Sequence, residues 1–125
     1  MPRMARFLKS GHLAESSIQE MACDYIKLKG YGRYIVKIHN EGAGAANRGA
    51  QAIKAGLRPG ASDVFIALPR HDKHGFWLEF KSHNGKLSPK QISFFADMEG
   101  QGYHTAVVYS FDEAKSVIDH YLSGK

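Results

Sequence analysis

Residues 63–81, DVFIALPRHDKHGFWLEFK, decide how this chain reads. Two short runs rich in β-branched and aromatic residues, 63–68 (DVFIAL) and 76–81 (FWLEFK), flank a polar turn at 69–75. Runs of that composition read as strands, and so short a connection, rich in charge and glycine, implies a hairpin. Asp63 opens the first run, and Glu79-Phe80-Lys81 closes the second with Glu79 sixteen positions after Asp63. Alternation puts Glu79 and Lys81 on one face of their strand and Phe80 on the other. A hairpin partner brings Asp63 beside Glu79.

Two carboxylates held together repel, so such a site must gain a cation or a proton. A hard divalent ion, Mg²⁺ or Mn²⁺, suits oxygen ligands and keeps several waters. Asp63, Glu79 and a backbone carbonyl, that of Phe80, are the candidate ligands. A bound ion acidifies a water and neutralises charge building on a phosphate. Lys81 beside it would orient the attacking water or stabilise the transition state electrostatically. A Glu-x-Lys by itself is equally the pattern of an exposed pair flanking a core Phe. Asp63 in its strand context is what makes the triplet informative.

Working outward, Ser88-Pro89 predicts a helix start, with Ser88 as N-cap and Pro89 at the first helical position. The helix runs to about Glu99, places Phe94, Phe95 and Met98 in the core, and stops at Gly100 and Gly102. Residues 103–109 (YHTAVVY) read as a fourth strand and 112–122 as an amphipathic final helix. Upstream, 15–29 has helical spacing, with Ser16 or Ser17 as cap and Gly30 and Gly32 as stop. Residues 33–39 (RYIVKIH) form a strand, 40–49 a glycine- and asparagine-rich loop, and 51–57 a short helix. Residues 1–12 carry Arg3, Arg6 and Lys9 and read as a mobile basic arm, leaving 13–125 as one domain. The order α-β-(short α)-β-β-α-β-α implies an α/β fold with a mixed central sheet flanked by helices.

The chain has 125 residues, 17 Lys plus Arg against 12 Asp plus Glu, and a formal net charge of +5. That balance favours polyanion partners, nucleic acid first. The lone Cys23 cannot form an intrachain disulfide, and seven histidines without a Cys pair are no zinc signature. The start Met1-Pro2-Arg3 lacks the apolar stretch of a signal peptide, and no apolar run approaches membrane-spanning length. A soluble, cytoplasmic protein with no membrane partner is expected. Candidate phosphate contacts are Arg33, Lys37, Arg48, Lys54, Arg58, Lys86 and Lys90, with Arg48 and Arg58 foremost because they flank the loop before the site.

The segments GASDVFIALPR, WLEFK, GKLSPKQ and GYHTAVV together resemble the VRR-NUC group of the PD-(D/E)XK nuclease superfamily, over residues 15–122. Ser62 stands where that group usually has proline. The resemblance implies a restriction-endonuclease-like fold, with Asp63 and Glu79 as metal ligands and Lys81 as the catalytic lysine. It adds Gln91, hydrogen-bonding a phosphate, a water or a carboxylate. Glu15, one turn before Gln19, would contribute an acidic group to the metal site, with Glu20 as the competing candidate. Asn40, with His39, Gly42 and Gly44, would line the substrate groove. Gln19, Asn40, Arg48, Arg58, Lys86 and Lys90 are thus the expected nucleic-acid contacts.

By the same resemblance the activity is a metal-dependent, structure-specific DNA endonuclease. Standalone members of this kind form homodimers and resolve four-way (Holliday) junctions, and a two-fold dimer suits paired cuts in a two-fold junction. The alternatives are cleavage of flaps or plain duplex, or a non-catalytic nucleic-acid-binding module on the same fold.

Overall fold

The computed structural model describes residues 13–38 and 53–125. The basic arm at 1–12, the loop at 40–49 with Asn40 and Arg48, His39, and the start of the short helix lie outside the described residues.

Helix α1 spans Glu15–Leu28 and buries Ile18, Met21, Ala22 and Ile26, the stripe its spacing predicts. Its N-cap is Ala14, which offers no side-chain cap, so neither Ser16 nor Ser17 serves. Both serines fall inside the first turn, where Glu15 supplies the negative charge that a helix N-terminus favours. A 3-10 turn at Gly32–Tyr34 takes the first part of the expected 33–39 strand. The strand that remains, β1, is Ile35–Lys37.

The hairpin forms as read. Strand β2, Val64–Ile66, pairs antiparallel with β3, Phe76–Phe80, in the register Val64↔Leu78, Phe65↔Trp77 and Ile66↔Phe76. Helix α2, Pro89–Gly100, then crosses over to β4, His104–Val108, which lies parallel to β3. Strand β1 pairs antiparallel with β2, so the sheet order is β1-β2-β3-β4. Helix α3, Phe111–Leu122, follows β4.

The register separates the sheet into two faces. Val64, Ile66, Phe76, Leu78, Phe80 and Val108 join Ile18, Ala22 and Ile26 of α1 and Ala114, Ile118 and Tyr121 of α3 in one core. The buried Tyr121 hydroxyl donates to the Leu68 carbonyl at 2.7 Å, tying α3 to the end of β2. The opposite face carries Phe65, Trp77 and Glu79. There Trp77 packs 4.4 Å from Phe65 and edge-on to Phe94 of α2 at 4.9 Å, ring centre to ring centre. Phe94 is buried, while Phe95 and Met98 are only half-buried, because α2 has a single narrow contact stripe. Among the described residues no helix is long and apolar enough to cross a membrane.

Candidate active site

Extending the β2–β3 register by one residue sets Asp63 directly opposite Glu79, on the face under α2. Asp63 is pinned twice. Its carbonyl accepts from the Ile38 N–H at 2.8 Å, and its Oδ2 accepts from the Phe80 N–H at 2.9 Å. In an extended strand, the N–H and C=O of one residue leave on the same side. The Phe80 carbonyl therefore shares the Asp63 side of β3, while the Lys81 N–H turns the other way, to Val108 O at 2.9 Å. Ahead of Asp63, Gly60 adopts a positive φ of 89°, and a Cβ there would fall 2.6 Å from the Lys90 backbone. Only glycine lets this loop lie against the first turn of α2.

Glu79 is 3% exposed, although it is a carboxylate. Burial, and then the Asp63 charge beside it, push its carboxyl up to about 8. Burial likewise raises Asp63, opposed by the Phe80 N–H that stabilises its charged form. The two carboxyls lie within hydrogen-bonding reach of one another, so a single proton between them relieves the repulsion. Glu79 Oε1 meets no N–H or O–H donor among the described residues. Its Oε2 accepts from Gln91 Nε2 at 3.0 Å and faces Lys81 Nζ at 3.7 Å.

Two further groups close the site. Glu15, at the start of α1, accepts from the Ser82 N–H at 3.3 Å, just past Lys81, and its charge acts on both Asp63 and Glu79. Glu15 and Glu20 are both exposed, and it is the Ser82 contact that marks Glu15 as the acid α1 brings to the end of β3. Gln91 is aimed by its own helix start: its Oε1 accepts from the Ser88 N–H at 2.8 Å while Ser88 Oγ accepts from the Gln91 N–H at 3.2 Å. This is a capping box. With the carboxamide oxygen occupied, its Nε2 is turned toward Glu79.

The family model for the VRR-NUC domain matches residues 14–112. The chain belongs to the VRR-NUC domain family. Two solved structures carry the same domain name. A "VRR_NUC domain protein" is 23% identical, with 90% of each chain covered and a TM-score of 0.79. A "VRR_NUC domain" is 26% identical over 86% of this chain and 96% of that one, with a TM-score of 0.60. The search among curated proteins found no match. The mixed four-stranded sheet with its helices is thus the restriction-endonuclease-like fold of VRR-NUC proteins, and the family is one of nucleases.

Within this VRR-NUC domain, Asp63, Glu79, Lys81, Gln91, Glu15 and the Phe80 backbone converge at one end of the β2–β3 hairpin. Arg58, partly exposed, pairs with Asp97 at 2.6 Å and its guanidinium lies over the Phe94 ring. Lys86 and Lys90 are exposed beside the start of α2, and Gln19 is half-buried on α1. Trp77 shares the site face, as alternation predicts, but its ring is spent on Phe65 and Phe94. The capping box is what the sequence reading missed, although Ser-x-x-Gln at a helix start is its signature.

Ser62, in the position that resembles the family's proline, is fully buried and its hydroxyl has no partner among the described residues. A buried unpaired hydroxyl costs stability. Ser62→Ala is therefore expected to raise stability by about 0.5–1 kcal/mol, read as a higher urea midpoint at unchanged slope. A lower midpoint would mean that the hydroxyl has a partner in solution.

Proposed function

We propose that this chain is a Mg²⁺- or Mn²⁺-dependent endonuclease that hydrolyses DNA phosphodiester bonds. The observation that carries the reading is the facing pair of half-buried Asp63 and buried Glu79, with a Glu79 oxygen lacking a donor among the described residues and a lysine 3.7 Å from the other. Among the described residues no three His, Cys, Asp or Glu side chains form a ready-made cation cage. The donor set is instead two carboxylates and the Phe80 carbonyl, all oxygen, which fits an ion that retains much of its water. When bound, the cation supplies positive charge against the phosphate and makes a water more acidic. A proton shared by the two acids and a cation bound between them are alternatives, so binding releases that proton.

Each protein group then has a task. Asp63 and Glu79 hold the cation, with Asp63 fixed by the Phe80 N–H. Lys81 places a positive charge where negative charge accumulates on the reacting phosphate. Gln91 holds Glu79, and Glu15 adds negative charge at the edge of the site. Lys86 and Lys90, beside α2, offer the strand's neighbouring phosphates charge, in keeping with the net charge of +5.

The finer reading is a Holliday junction resolvase-like enzyme acting as a homodimer. Its support is the likeness to standalone nucleases of this kind and the fit of two symmetric sites to a two-fold junction. The test is a panel of labelled four-way junction, flap, fork and duplex DNA with Mg²⁺ or Mn²⁺. Fastest cleavage of the junction, lost in Asp63→Ala and on adding EDTA, is the expected result. Faster cutting of flaps or duplex would replace the junction assignment, and no cleavage of any substrate would overturn the nuclease itself.

A further inference from the structure

The capping box at the start of α2 does more than begin a helix. In an ordinary box, the side chain at the third helical position reaches back to the N-cap N–H and its remaining atoms face solvent. Here that side chain is an amide with two functional ends. Its oxygen is taken by the Ser88 N–H at 2.8 Å, and its nitrogen donates to Glu79 Oε2 at 3.0 Å, twelve residues away on β3. An amide has two orientations related by a half-turn, and only one gives Glu79 a donor. The reverse orientation would set the amide oxygen against the Glu79 carboxylate and the NH₂ group against the Ser88 N–H, two repulsive contacts at once. The Ser88 N–H therefore selects the orientation that Glu79 needs.

Ser88 holds that arrangement from the other side. Its Oγ accepts from the Gln91 N–H at 3.2 Å, which keeps the first turn closed and the Gln91 side chain within reach of the N-cap. The chain of contacts runs from Ser88 to Gln91 to Glu79. Glu79 is nearly inaccessible, so its oxygens have few other donors to turn to. We infer that Ser88 is a positioning residue for the proposed active site: through the capping box it sets the Gln91 amide orientation, which aims the Glu79 carboxylate. The inference rests on the nuclease reading for its effect on catalysis, but the contact chain itself stands apart from any activity.

The fold provides an internal control. Ser110 caps α3 with the same chemistry, its Oγ accepting from the Glu113 N–H at 3.1 Å and Glu113 accepting from the Tyr109 N–H at 2.8 Å. That cap belongs to another helix start, and the Glu113 carboxylate bonds the residue before the cap, so no reciprocal box forms and no contact passes on to Glu79. Ser88→Ala and Ser110→Ala remove the same cap interaction and are expected to lower Tm by similar few-degree amounts. Only Ser88→Ala is expected to weaken Mn²⁺ binding, measured by calorimetry with MnCl₂ alone, by roughly 10-fold. It should slow DNA cleavage as well, and Ser88→Thr, which keeps the hydroxyl, should restore both.

A readout without metal keeps the two readings separate. In amide NMR spectra, the Gln91 side-chain NH₂ pair should be well separated in the wild type and in Ser110→Ala. Ser88→Ala keeps the Ser88 N–H but loses the hydroxyl that holds the first turn closed, so the pair should shift toward the free-glutamine position. That shift in Ser88→Ala alone supports the positioning role even if no DNA is cut. Unchanged Gln91 resonances in Ser88→Ala, or equal effects of the two alanine variants on Mn²⁺ affinity, would overturn it.

Discussion

Lys81→Met is expected to slow DNA cleavage by at least about 100-fold while leaving the fold intact. The lysine side chain is 13% exposed, and its ammonium stands 3.7 Å from the most buried acid of the site. Its placement is built in. The turn after β3 folds back over it, so that a Cβ at Gly85 would come within 3.2 Å of Lys81 Cβ and Cδ. A charge held this way needs no reorganisation when negative charge develops nearby, which is why electrostatic groups of this kind carry large rate effects. Methionine retains most of the unbranched stem and its packing against that turn, so stability should change little. Single-turnover cleavage of the preferred substrate, with Tm and EDTA-insensitive DNA binding measured alongside, checks the expectation. Turnover within a few-fold of wild type would remove Lys81 from the chemistry.

Glu79→Gln should separate stability from activity in opposite directions. The Glu79 carboxyl in the folded chain titrates at about 8, against an ordinary value of 4.5. Between those pH values the folded state keeps a proton that the unfolded chain releases, so stability falls as pH rises. The slope is at most about 1.4 kcal/mol per pH unit, and Asp63, raised by the same burial, adds to it in the same sense. Metal-free wild type is therefore expected to be less stable at pH 8 than at pH 6. In Glu79→Gln the buried charge is gone and the side-chain oxygen still accepts from Gln91. The metal-free variant should be more stable than wild type at pH 8 by roughly 1–3 kcal/mol, with a flatter pH profile.

Cleavage and stabilisation by Mn²⁺ should disappear in the same variant, since an amide is a poor substitute for a charged ligand. In wild type the Mn²⁺-induced rise in Tm should be larger at pH 8 than at pH 6, where the cation competes with the shared proton. Urea titrations at the two pH values decide this. If Glu79→Gln loses stability with pH as steeply as wild type, the acids do not share a proton. If Mn²⁺ raises its Tm as much as that of wild type, Glu79 is not a ligand.

These expectations depend on how directly different features follow from local chemistry. The hairpin was legible because composition and turn length act on neighbours in the chain: DVFIAL, a polar turn and FWLEFK leave little choice of pairing. Its register places Asp63 opposite Glu79, and alternation places Lys81 beside Glu79. Element ends were less legible. The strand read at 33–39 shrinks to Ile35–Lys37 because residues 32–34 close a 3-10 turn, with the Tyr34 N–H bonded to Tyr31 O. The serines read as caps of α1 sit inside its first turn because the hydrophobic stripe starts at Ile18 and carries the helix back to Glu15. The partners of Arg58 in the free protein, Asp97 and the Phe94 ring, were not legible either, because they come from a helix some forty positions further along the chain.

The sequence by itself determined the order of elements, the membership of the acid pair with its lysine, and the family. Each depends on residue types at short spacings, where backbone geometry leaves one outcome. Tertiary structure alone decided that Glu79 is almost completely buried, that this burial and the Asp63 charge push its carboxyl up, and that a capping box turns the Gln91 amide to Glu79. Those properties come from desolvation and from contacts between elements far apart in the chain. No local pattern sets them, because burial and charge coupling belong to the assembled space around a group, not to its neighbours in sequence.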